Sequence, residues 1–438
     1  GVAMDECRAA DSVITHLPSG RTTTFGKVAT AAADLIPPLE VELKDPKDWK
    51  LIGRPVKRLD TVDKLTGKQV FGADLQLPGM LNAAIKACPV FGGKLKSTDA
   101  AKIRSMPGVR AVVAVEDSAV AVVAETWWQA NTALNALPVD WDTGPHADVS
   151  SDTIATMLNE GLRAKEAFVG NEAGNVKKAL KNAEKTVEAT YAYPFQNHAT
   201  MEPMNAAALW TKERCEVWCP TQNGEAALQA TAEAAGLPAS KCEVYKIHLG
   251  GGFGRRGAFH DYVKQAVAIA KQMPGTPVKL LWSREEDIRH DHYRPAVASR
   301  FRAALDEQGN IVAWDNVYHE KHEPVEAPVI PYAVAAQKIH HTDSPTHVPF
   351  GPWRSVDHSQ HGFFTESFVD ELANAAGKDG YEFRRALLAG APRHRNVLET
   401  AAEKAGWGST LAEGQGRGIS LQESFGSIVA QVVDVTVV

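Results

Sequence analysis

The chain has 438 residues, of which 44% are hydrophobic, and its formal net charge is -6. That length can bury at least two substantial cores. The negative charge, without any block rich in Lys or Arg, argues against nucleic acid as the main partner. No apolar run approaches the length of a bilayer-spanning helix, so no transmembrane segment is predicted.

The first half of the chain is predicted to contain a linker and then a mixed module. Residues 1–47 hold a short helical pattern and a Pro-Pro pair, which indicates the tail of a preceding unit followed by a linker. Residues 48–145 alternate apolar runs with an amphipathic segment, so an α+β module is predicted there. Its elements are two strands, Arg110–Val115 and Val120–Ala124, and a helix, Thr126–Leu137.

Residues 146–438 also mix strands with helices, so the predicted fold class is α+β throughout. Asn175 is a candidate helix N-cap, and Ser283 has capping-box spacing to Glu286. The chain ends in an apolar strand pattern, Ser427–Val438, without a following turn. A pairing partner beyond Val438 and a missing C-terminal part are therefore expected.

The cysteines are too scattered for a zinc ribbon or an iron–sulfur site. Their odd number offers no complete set of disulfides. Burial as small hydrophobic side chains is the favoured interpretation. They are Cys7, Cys88, Cys215, Cys219 and Cys242.

A glycine-rich run, Gly250 to Arg256, has the sequence Gly-Gly-Gly-Phe-Gly-Arg-Arg and lies between a predicted strand and a predicted helix. Glycine permits positive φ and close approach of backbone N–H groups to a bound group, and the two arginines suit an anion such as a phosphate. The spacing matches neither the phosphate-binding P-loop nor the dinucleotide fingerprint. On this run alone, a tight structural turn and a ligand-binding loop both remain open.

Further segments of the same kind follow predicted strands or join two elements. Pro220–Gly224 lies between a strand pattern and an alanine-rich helix pattern, Pro349–Val356 follows a proline-rich passage, and Asn197–Pro203 precedes a strand pattern. Together with Arg58–Gly67 and Leu77–Leu81, this order of motifs resembles the large, molybdopterin-binding subunit of the molybdenum hydroxylases. It is most similar to the branch of isoquinoline oxidoreductase, nicotinate dehydrogenase and membrane-bound aldehyde dehydrogenase, and the resemblance covers roughly residues 48–438.

The resemblance implies a hammerhead-like α/β domain at 48–145, followed by the first part of the molybdenum-cofactor-binding α+β subdomains at 146–438. It implies oxidation of an aldehyde, or hydroxylation of an N-heteroaromatic ring, with water as the oxygen source. The implied cofactor is molybdenum-molybdopterin, in the cytosine dinucleotide form. Electrons would pass to a small [2Fe-2S] subunit, and a cytochrome c subunit is a further candidate partner. The branch suggests the periplasm, with membrane association through partners; a cytoplasmic enzyme is the alternative.

The resemblance also assigns cofactor contacts to particular residues. Gln222 matches a glutamine whose amide lies beside an oxo ligand of the metal; helix capping is the alternative. Phe253 matches a residue of the glycine loop that contacts the metal centre, although it could equally plug a turn. Arg354 matches the arginine of a third metal-binding loop; a surface or ion-paired arginine is the alternative. The glycines that would let main-chain donors reach the cofactor are Gly251, Gly252 and Gly254.

Two departures from the purine-oxidising relatives concern the substrate pocket. Gly257 stands where those enzymes have a glutamate, and Val356 stands where they have an aromatic residue. Purine oxidation is therefore not expected, and the pocket is predicted to be roomy and weakly polar. The catalytic base of the family is a glutamate near its C-terminus, and no residue of this chain is assigned that role. The passage between Glu323 and Tyr332 is expected to be shorter than in the family.

Other polar clusters carry weaker predictions. The clusters His319–Glu323 and His290–His292 resemble metal ligands, but solvated polar side chains are the favoured interpretation. His198 and Glu202 are expected to be hydrogen-bonded near the site. The competing function is a non-catalytic binding or scaffold protein that retains the fold, which the missing base would favour.

Overall fold

The structure is a computed structural model that describes residues 1–164, 168–321 and 329–437. The chain divides into two compact units, Gly1–Lys68 and Gln69–Val438. The first unit contains an antiparallel sheet in the order β1-β2-β3, followed by two helices. Thr24 caps the predicted helix, since its Oγ1 accepts from the Lys27 N–H at 3.3 Å. The elements are β1 (Cys7–Ala10), β2 (Val13–His16), β3 (Thr22–Thr24), α1 (Phe25–Ala33) and α2 (Thr61–Leu65).

The second unit holds the remaining elements. Its strands are β4 (Leu81–Ala87), β5 (Lys94–Thr98), β6 (Val109–Val115), β7 (Ala119–Ala124), β8 (Val139–Asp142), β9 (Phe168–Ala173), β10 (Lys185–Tyr193), β11 (Asn205–Trp210), β12 (Cys215–Pro220), β13 (Cys242–Ile247), β14 (Val278–Leu281), β15 (Val297–Leu305), β16 (Ile311–Glu320), β17 (Gln337–Asp343), β18 (Gln415–Ser424) and β19 (Ser427–Thr436). Its helices are α3 (Trp127–Ala136), α4 (Ser151–Gly161), α5 (Val176–Lys181), α6 (Gly224–Ala235), α7 (Asp261–Lys271), α8 (Arg284–Arg289), α9 (His358–Ala375), α10 (Gly380–Leu387) and α11 (Pro392–Lys404).

Among the described residues, one mixed sheet has the order β13-β12-β11-β14-β4-β7-β6. The pairs β12–β13 and β14–β4 are parallel, and the other neighbours are antiparallel. β6 and β7 confirm the two strands that were predicted in the first module. Strands from both sides of residue 145 share this sheet, and the domain boundaries at 47 and 145 stay predictions.

Helices α6 and α7 pack on this sheet and bring their preceding loops together. α6 begins where Asn223 Oδ1 accepts from the Ala226 N–H at 3.2 Å, and it ends at Gly236, whose φ of 68° is left-handed. α7 buries its apolar face, including Tyr262 and Val263, in the same core as the sheet. Since β12 leads into α6 and β13 leads towards α7, the loops at the ends of these adjacent parallel strands lie side by side.

The second core lies between another sheet and helix α9. This sheet has the order β10-β15-β16-β17-β9 within the described residues. Phe364, Phe368 and Leu372 of α9 are fully buried in its core. Because α9 begins at His358, directly after the segment Pro349–Val356, packing of the helix fixes the end of that segment.

The C-terminal strand pattern forms β19, which pairs with a strand that the chain itself supplies. β19 pairs along its whole length with β18, which precedes it in the chain, in an antiparallel hairpin. The turn Phe425-Gly426 lets the strand fold back on β18, and a further partner beyond Val438 stays a prediction.

Burial of the cysteines follows the sequence in part. Cys88, Cys215 and Cys219 are buried and free, and Cys215 and Cys219 lie in the core of the first mixed sheet, which confirms their interpretation as buried residues; Cys7 and Cys242 are half-buried. In the described part of the chain, no helix combines the length and apolar character that crossing a bilayer requires.

A buried ion pair in α8 should make stability depend on pH. His290 Nδ1 lies 3.1 Å from Glu286 Oε1, and its Nε2 lies 2.9 Å from the Cys88 carbonyl oxygen. Burial alone would lower the pKa of His290, but these two acceptors outweigh it and hold the pKa above 6.5. The stabilisation is therefore complete below the ordinary pKa and is lost as the pH rises through the raised one.

We expect the urea midpoint of unfolding to fall as the pH rises from about 6 to 9. Glu286→Gln should flatten that dependence, because it removes the charge while its remaining oxygen can still accept from the Ala87 N–H. Circular dichroism at each pH measures it, with Glu285→Gln, the neighbouring residue of α8, as the matched control. An identical pH slope in wild type and Glu286→Gln would contradict this account.

Candidate functional site

The glycine loop lies against Gln222 and the third predicted loop. A Cβ built on Gly252 would meet Gln222 Oε1 at 2.3 Å, and one built on Gly254 would meet the Pro352 carbonyl oxygen at 1.7 Å. A Cβ on Gly250 would meet the Cβ of Glu202 at 2.5 Å. These positions therefore have room only for glycine, and the segments predicted separately from the sequence converge at one place.

The glycine loop presents backbone donors that the protein leaves open. φ is 106° at Gly251, 56° at Phe253 and 112° at Gly254, so the backbone has a positive φ at three positions of the loop. Among the described residues, no acceptor is found for the N–H groups of Gly251, Gly252 and Phe253. Successive backbone N–H groups in such a turn form a concave anion site. The loop therefore fits the anionic parts of a molybdopterin cofactor.

Gln222 has its side-chain oxygen occupied and its nitrogen open. Oε1 accepts from the N–H groups of Gly254 at 3.1 Å and Arg256 at 3.3 Å. Because two N–H groups donate to this atom, it must be the amide oxygen, and the other terminal atom is the nitrogen. Nε2 has no acceptor within the described residues, and the side chain is exposed. The amide is thus fixed in orientation and can donate to a bound group.

The two arginines of the loop do not face a ligand. Arg255 and Arg256 are 1% and 0% exposed. Arg255 makes a bidentate pair with Asp261 at 2.8 and 2.9 Å, and its Nε lies 2.8 Å from Asp291. Burial would raise the pKa of Asp261, but the Arg255 guanidinium holds it below the ordinary value. The interpretation of these arginines as anion ligands was wrong, because the carboxylates of Asp261 and Asp291 already pair with Arg255, and Arg256 donates to backbone carbonyls.

Arg256 joins the loop to the segment before β11. Its Nε donates to the Gly251 carbonyl at 2.9 Å, and its Nη2 donates to the Glu202 carbonyl at 2.7 Å and the Pro203 carbonyl at 3.2 Å. The Glu202 carboxylate accepts from the Gly250 N–H at 2.7 Å. The side chains of Arg256 and Glu202 therefore hold the backbone of the glycine loop through hydrogen bonds, which confirms the expected hydrogen-bonded position of Glu202.

His198 links the site to the third loop. Its Nδ1 lies 2.9 Å from Asp291 Oδ2, and its Nε2 lies 3.0 Å from the Pro352 carbonyl oxygen. Both neighbours are acceptors, so the ring bridges the Asp291 carboxylate and the backbone of the third loop. His198 was expected to be hydrogen-bonded here. Asp291 was missed as a support residue, because its flanking histidines suggested a metal cluster instead.

The third loop carries backbone strain. Ser355 and Val356 have φ values of 70° and 48°, and such a value is a genuine outlier for a β-branched residue. Strain of this kind costs of the order of 1–3 kcal/mol per residue and clusters at functional sites. The Arg354 side chain is exposed and has no ion pair with any described residue. It is free to meet a ligand, and its role stays a prediction.

The two predicted pocket residues lie in different surroundings. Gly257 closes a turn by donating to the Gly254 carbonyl at 2.9 Å. Val356 lines a separate cavity of about 220 Å³ together with Arg294 and Trp353. Nothing in the sequence around Arg294 indicated a site residue, since a single arginine before a proline carries no motif.

The candidate metal clusters have other roles where they are described. No group of three or more His, Cys, Asp or Glu side chains within the described residues could hold a metal ion. His292 stacks on Phe259 at 3.9 Å between ring centroids, and His319 Nδ1 lies 2.7 Å from the Thr342 hydroxyl. His322 and Glu323, with most of the passage to Tyr332, lie outside the described residues.

Known proteins with similar sequences include three bacterial oxidoreductases. A subunit of nicotinate dehydrogenase from Pseudomonas putida is 28% identical over 87% of this chain and 35% of its own length. Membrane-bound aldehyde dehydrogenase (pyrroloquinoline-quinone) of Gluconacetobacter polyoxogenes is 27% identical over 94% and 59%, and the beta subunit of isoquinoline 1-oxidoreductase from Brevundimonas diminuta is 26% identical over 95% and 61%. The chain thus spans between about a third and three fifths of these relatives.

Solved structures show the same fold. Quinoline 2-oxidoreductase from Pseudomonas putida 86 superposes with a TM-score of 0.69 at 19% identity, covering 85% of this chain and 57% of that one. Aldehyde oxidoreductase from Desulfovibrio gigas gives 0.65 at 20% identity, covering 83% and 48%.

Residues 160–388, just over half of the chain, match the molybdopterin cofactor-binding domain family. With the glycine loop, Gln222 and the third loop brought together, the match and the relatives agree with the resemblance of the motifs. The chain belongs to the molybdopterin-binding large subunits of the molybdenum hydroxylase family.

Proposed function

We propose that this chain is the molybdopterin-binding part of a catalytic subunit that oxidises an aldehyde or hydroxylates an N-heteroaromatic ring, with water as the oxygen source. The observation that carries the proposal is the fixed amide of Gln222, whose free donor lies next to the open N–H groups of Gly251, Gly252 and Phe253. Open donors that converge at one place suit a bound acceptor group.

The chain's own residues would bind and orient the cofactor. When bound, the cofactor supplies the redox chemistry of the reaction. Gln222 would donate to an acceptor atom of the cofactor, and the glycine loop would hold its anionic parts. Phe253, whose side chain is 42% exposed, would cover one face of the bound group. Arg354 would support the cofactor from the third loop, and Val356 and Gly257 would border the substrate.

The reaction also needs a catalytic base, and no residue of this chain is assigned that role. Glu202 has its carboxylate occupied by the N–H groups of Gly250 and Ala73, at 2.7 and 2.9 Å. It is therefore a support for the loop, and we assign no residue of this chain as the base.

The remaining assignments extend the resemblance of the motifs. Two of them, nicotinate dehydrogenase and isoquinoline 1-oxidoreductase, are matched through chains named as subunits, which supports a multisubunit complex. We propose the cytosine dinucleotide form of the cofactor, a [2Fe-2S] subunit as the electron acceptor and a cytochrome c as a further one. A periplasmic enzyme attached to the membrane through its partners is proposed, with the cytoplasm as the alternative.

The test is metal analysis combined with isotope labelling. The full-length protein is purified in its native complex, and its molybdenum and pyrroloquinoline quinone contents are measured. Turnover of benzaldehyde and isoquinoline is followed with a dye acceptor in ¹⁸O-labelled water. We expect stoichiometric molybdenum and labelled product, and loss of both from molybdate-depleted cells. Protein without molybdenum that oxidises neither compound would contradict the proposal and favour a non-catalytic binding or scaffold function.

A further inference from the structure

Two free cysteines stand side by side on adjacent strands of the first mixed sheet. Cys215 begins β12 and Cys242 begins β13, and the parallel pairing of these strands places the two residues in register. Neighbouring strands lie about 4.7–4.9 Å apart, and a disulfide needs about 4.4–6.8 Å between its Cα atoms. The backbone therefore already holds this pair at a separation that a disulfide can span.

Both cysteine side chains lie on the face of the sheet that packs against α6 and α7. Cys215 belongs to the core that the sheet forms with these helices, and Cys242 packs against the same core. On the opposite face, the in-register pair Trp218 and Tyr245 stacks at 5.0 Å between ring centroids. Side chains in register on these two strands therefore point the same way and reach each other.

The sheet itself excludes two other cysteines as partners. Cys219 follows Cys215 by four residues on β12, which separates their Cα atoms by about 13 Å. Cys219 is in register with Lys246, which lies equally far along β13 from Cys242. Cys88 follows β4, which two further strands separate from β12. Within this sheet, the arrangement therefore favours the pair Cys215 and Cys242.

Access from solvent decides which sulfur reacts first. Cys242 lies on the end strand of the sheet and is half-buried, whereas Cys215 is fully buried. Burial raises the pKa of Cys215 to about 12 and also raises the pKa of Cys242, so both residues are thiols near neutral pH. An oxidant from solvent therefore meets Cys242 first, and Cys215 is placed to resolve the oxidised sulfur.

We propose that Cys215 and Cys242 form a disulfide when a peroxide oxidises the protein. The Cys242 thiolate attacks the peroxide, so that the O–O bond breaks, a sulfenic acid forms and one water leaves. The Cys215 sulfur then attacks the Cys242 sulfur, the S–O bond breaks and a second water leaves. Two thiols thus lose two electrons and two protons, and one hydrogen peroxide is reduced to two waters. Since each sulfur attacks as its thiolate, the rate should rise with pH.

The disulfide ties together the two strands that lead into the candidate site. β12 runs into the segment that carries Gln222, and β13 runs towards the glycine loop. The bond closes a loop that contains α6, and a disulfide stabilises mainly by restricting the unfolded chain. The oxidised protein should therefore unfold at a higher urea concentration than the reduced protein.

Peptide mapping of the full-length native complex tests the assignment. The reduced complex is exposed to hydrogen peroxide and denatured, and its remaining thiols are alkylated with N-ethylmaleimide. We expect Cys215 and Cys242 to lose alkylation together and to appear in one cross-linked pair of peptides, lighter by two hydrogen atoms than the separate peptides. Dithiothreitol should restore both thiols and return the urea midpoint to that of the reduced protein.

Cys219→Ala is the matched control, because it removes another buried thiol of β12 and should leave the cross-link unchanged. Cys242→Ser should abolish both the cross-link and the rise in the urea midpoint. Full alkylation of both cysteines after treatment with excess peroxide, or a cross-link from Cys242 to a different cysteine, would overturn the proposal. The map of the wild-type protein needs no substitution, so it decides even where a variant fails to fold.

Discussion

Replacing Gln222 by glutamate should lower kcat about 100- to 1,000-fold while the protein keeps its molybdenum. The new carboxylate can still accept from the Gly254 and Arg256 N–H groups, so the loop should keep its shape. What is lost is the amide donor, which is replaced by a negative charge facing an anionic group. Steady-state kinetics with a dye acceptor and metal analysis of the same sample measure both effects.

The matched control for this change is Gln229→Glu, an equally conservative substitution at an exposed position of α6. It should leave kcat within about twofold, because surface substitutions outside such features have small effects. Normal kcat in Gln222→Glu would show that the free amide nitrogen takes no part in the reaction. Loss of molybdenum in that variant would instead make Gln222 a residue that holds the cofactor in place.

Local elements were the part of the fold that the sequence predicted well. The alanine-rich helix that follows Pro220–Gly224 forms α6, because helix periodicity involves neighbouring residues only. The strand, glycine loop and helix around Gly250 were recognised for the same reason, since periodicity and glycine content are local signals. Segments far apart in the chain were grouped only through the resemblance.

Long-range contacts explain what the sequence did not show. From the sequence, Arg255 and Arg256 seemed free to bind an anion. Their actual partners, Asp261, Asp291 and the carbonyl of Glu202, are brought to them only by the folded structure. Similarly, β4 pairs in parallel with β14, nearly two hundred residues later, and no local pattern encodes that choice. The contact of the buried Arg294 with Trp353 is also long-range, because only the fold brings these two residues together.

Gly254→Ala should both destabilise the protein and abolish molybdenum binding. An alanine at φ 112° is strained, and its Cβ would stand 1.7 Å from the Pro352 carbonyl oxygen, which is far inside contact distance. The glycine loop and the third loop would have to separate, at a combined cost of about 2–5 kcal/mol. Since Gly254 also donates to Gln222, the amide would lose its fixed orientation. Metal content, kcat and the urea midpoint are the measurements.

Gly275→Ala is the matched control for Gly254→Ala, because it introduces the same backbone strain without disturbing a contact between two loops. Gly275 has a φ of 77°, and a Cβ there would meet no atom within 4 Å, so alanine should cost only about 1–2 kcal/mol and leave molybdenum bound. If both variants lost metal equally, general destabilisation would explain the loss. If Gly254→Ala kept its metal and activity, the two loops would not need their close approach, and the site would not depend on the contact between Gly254 and Pro352.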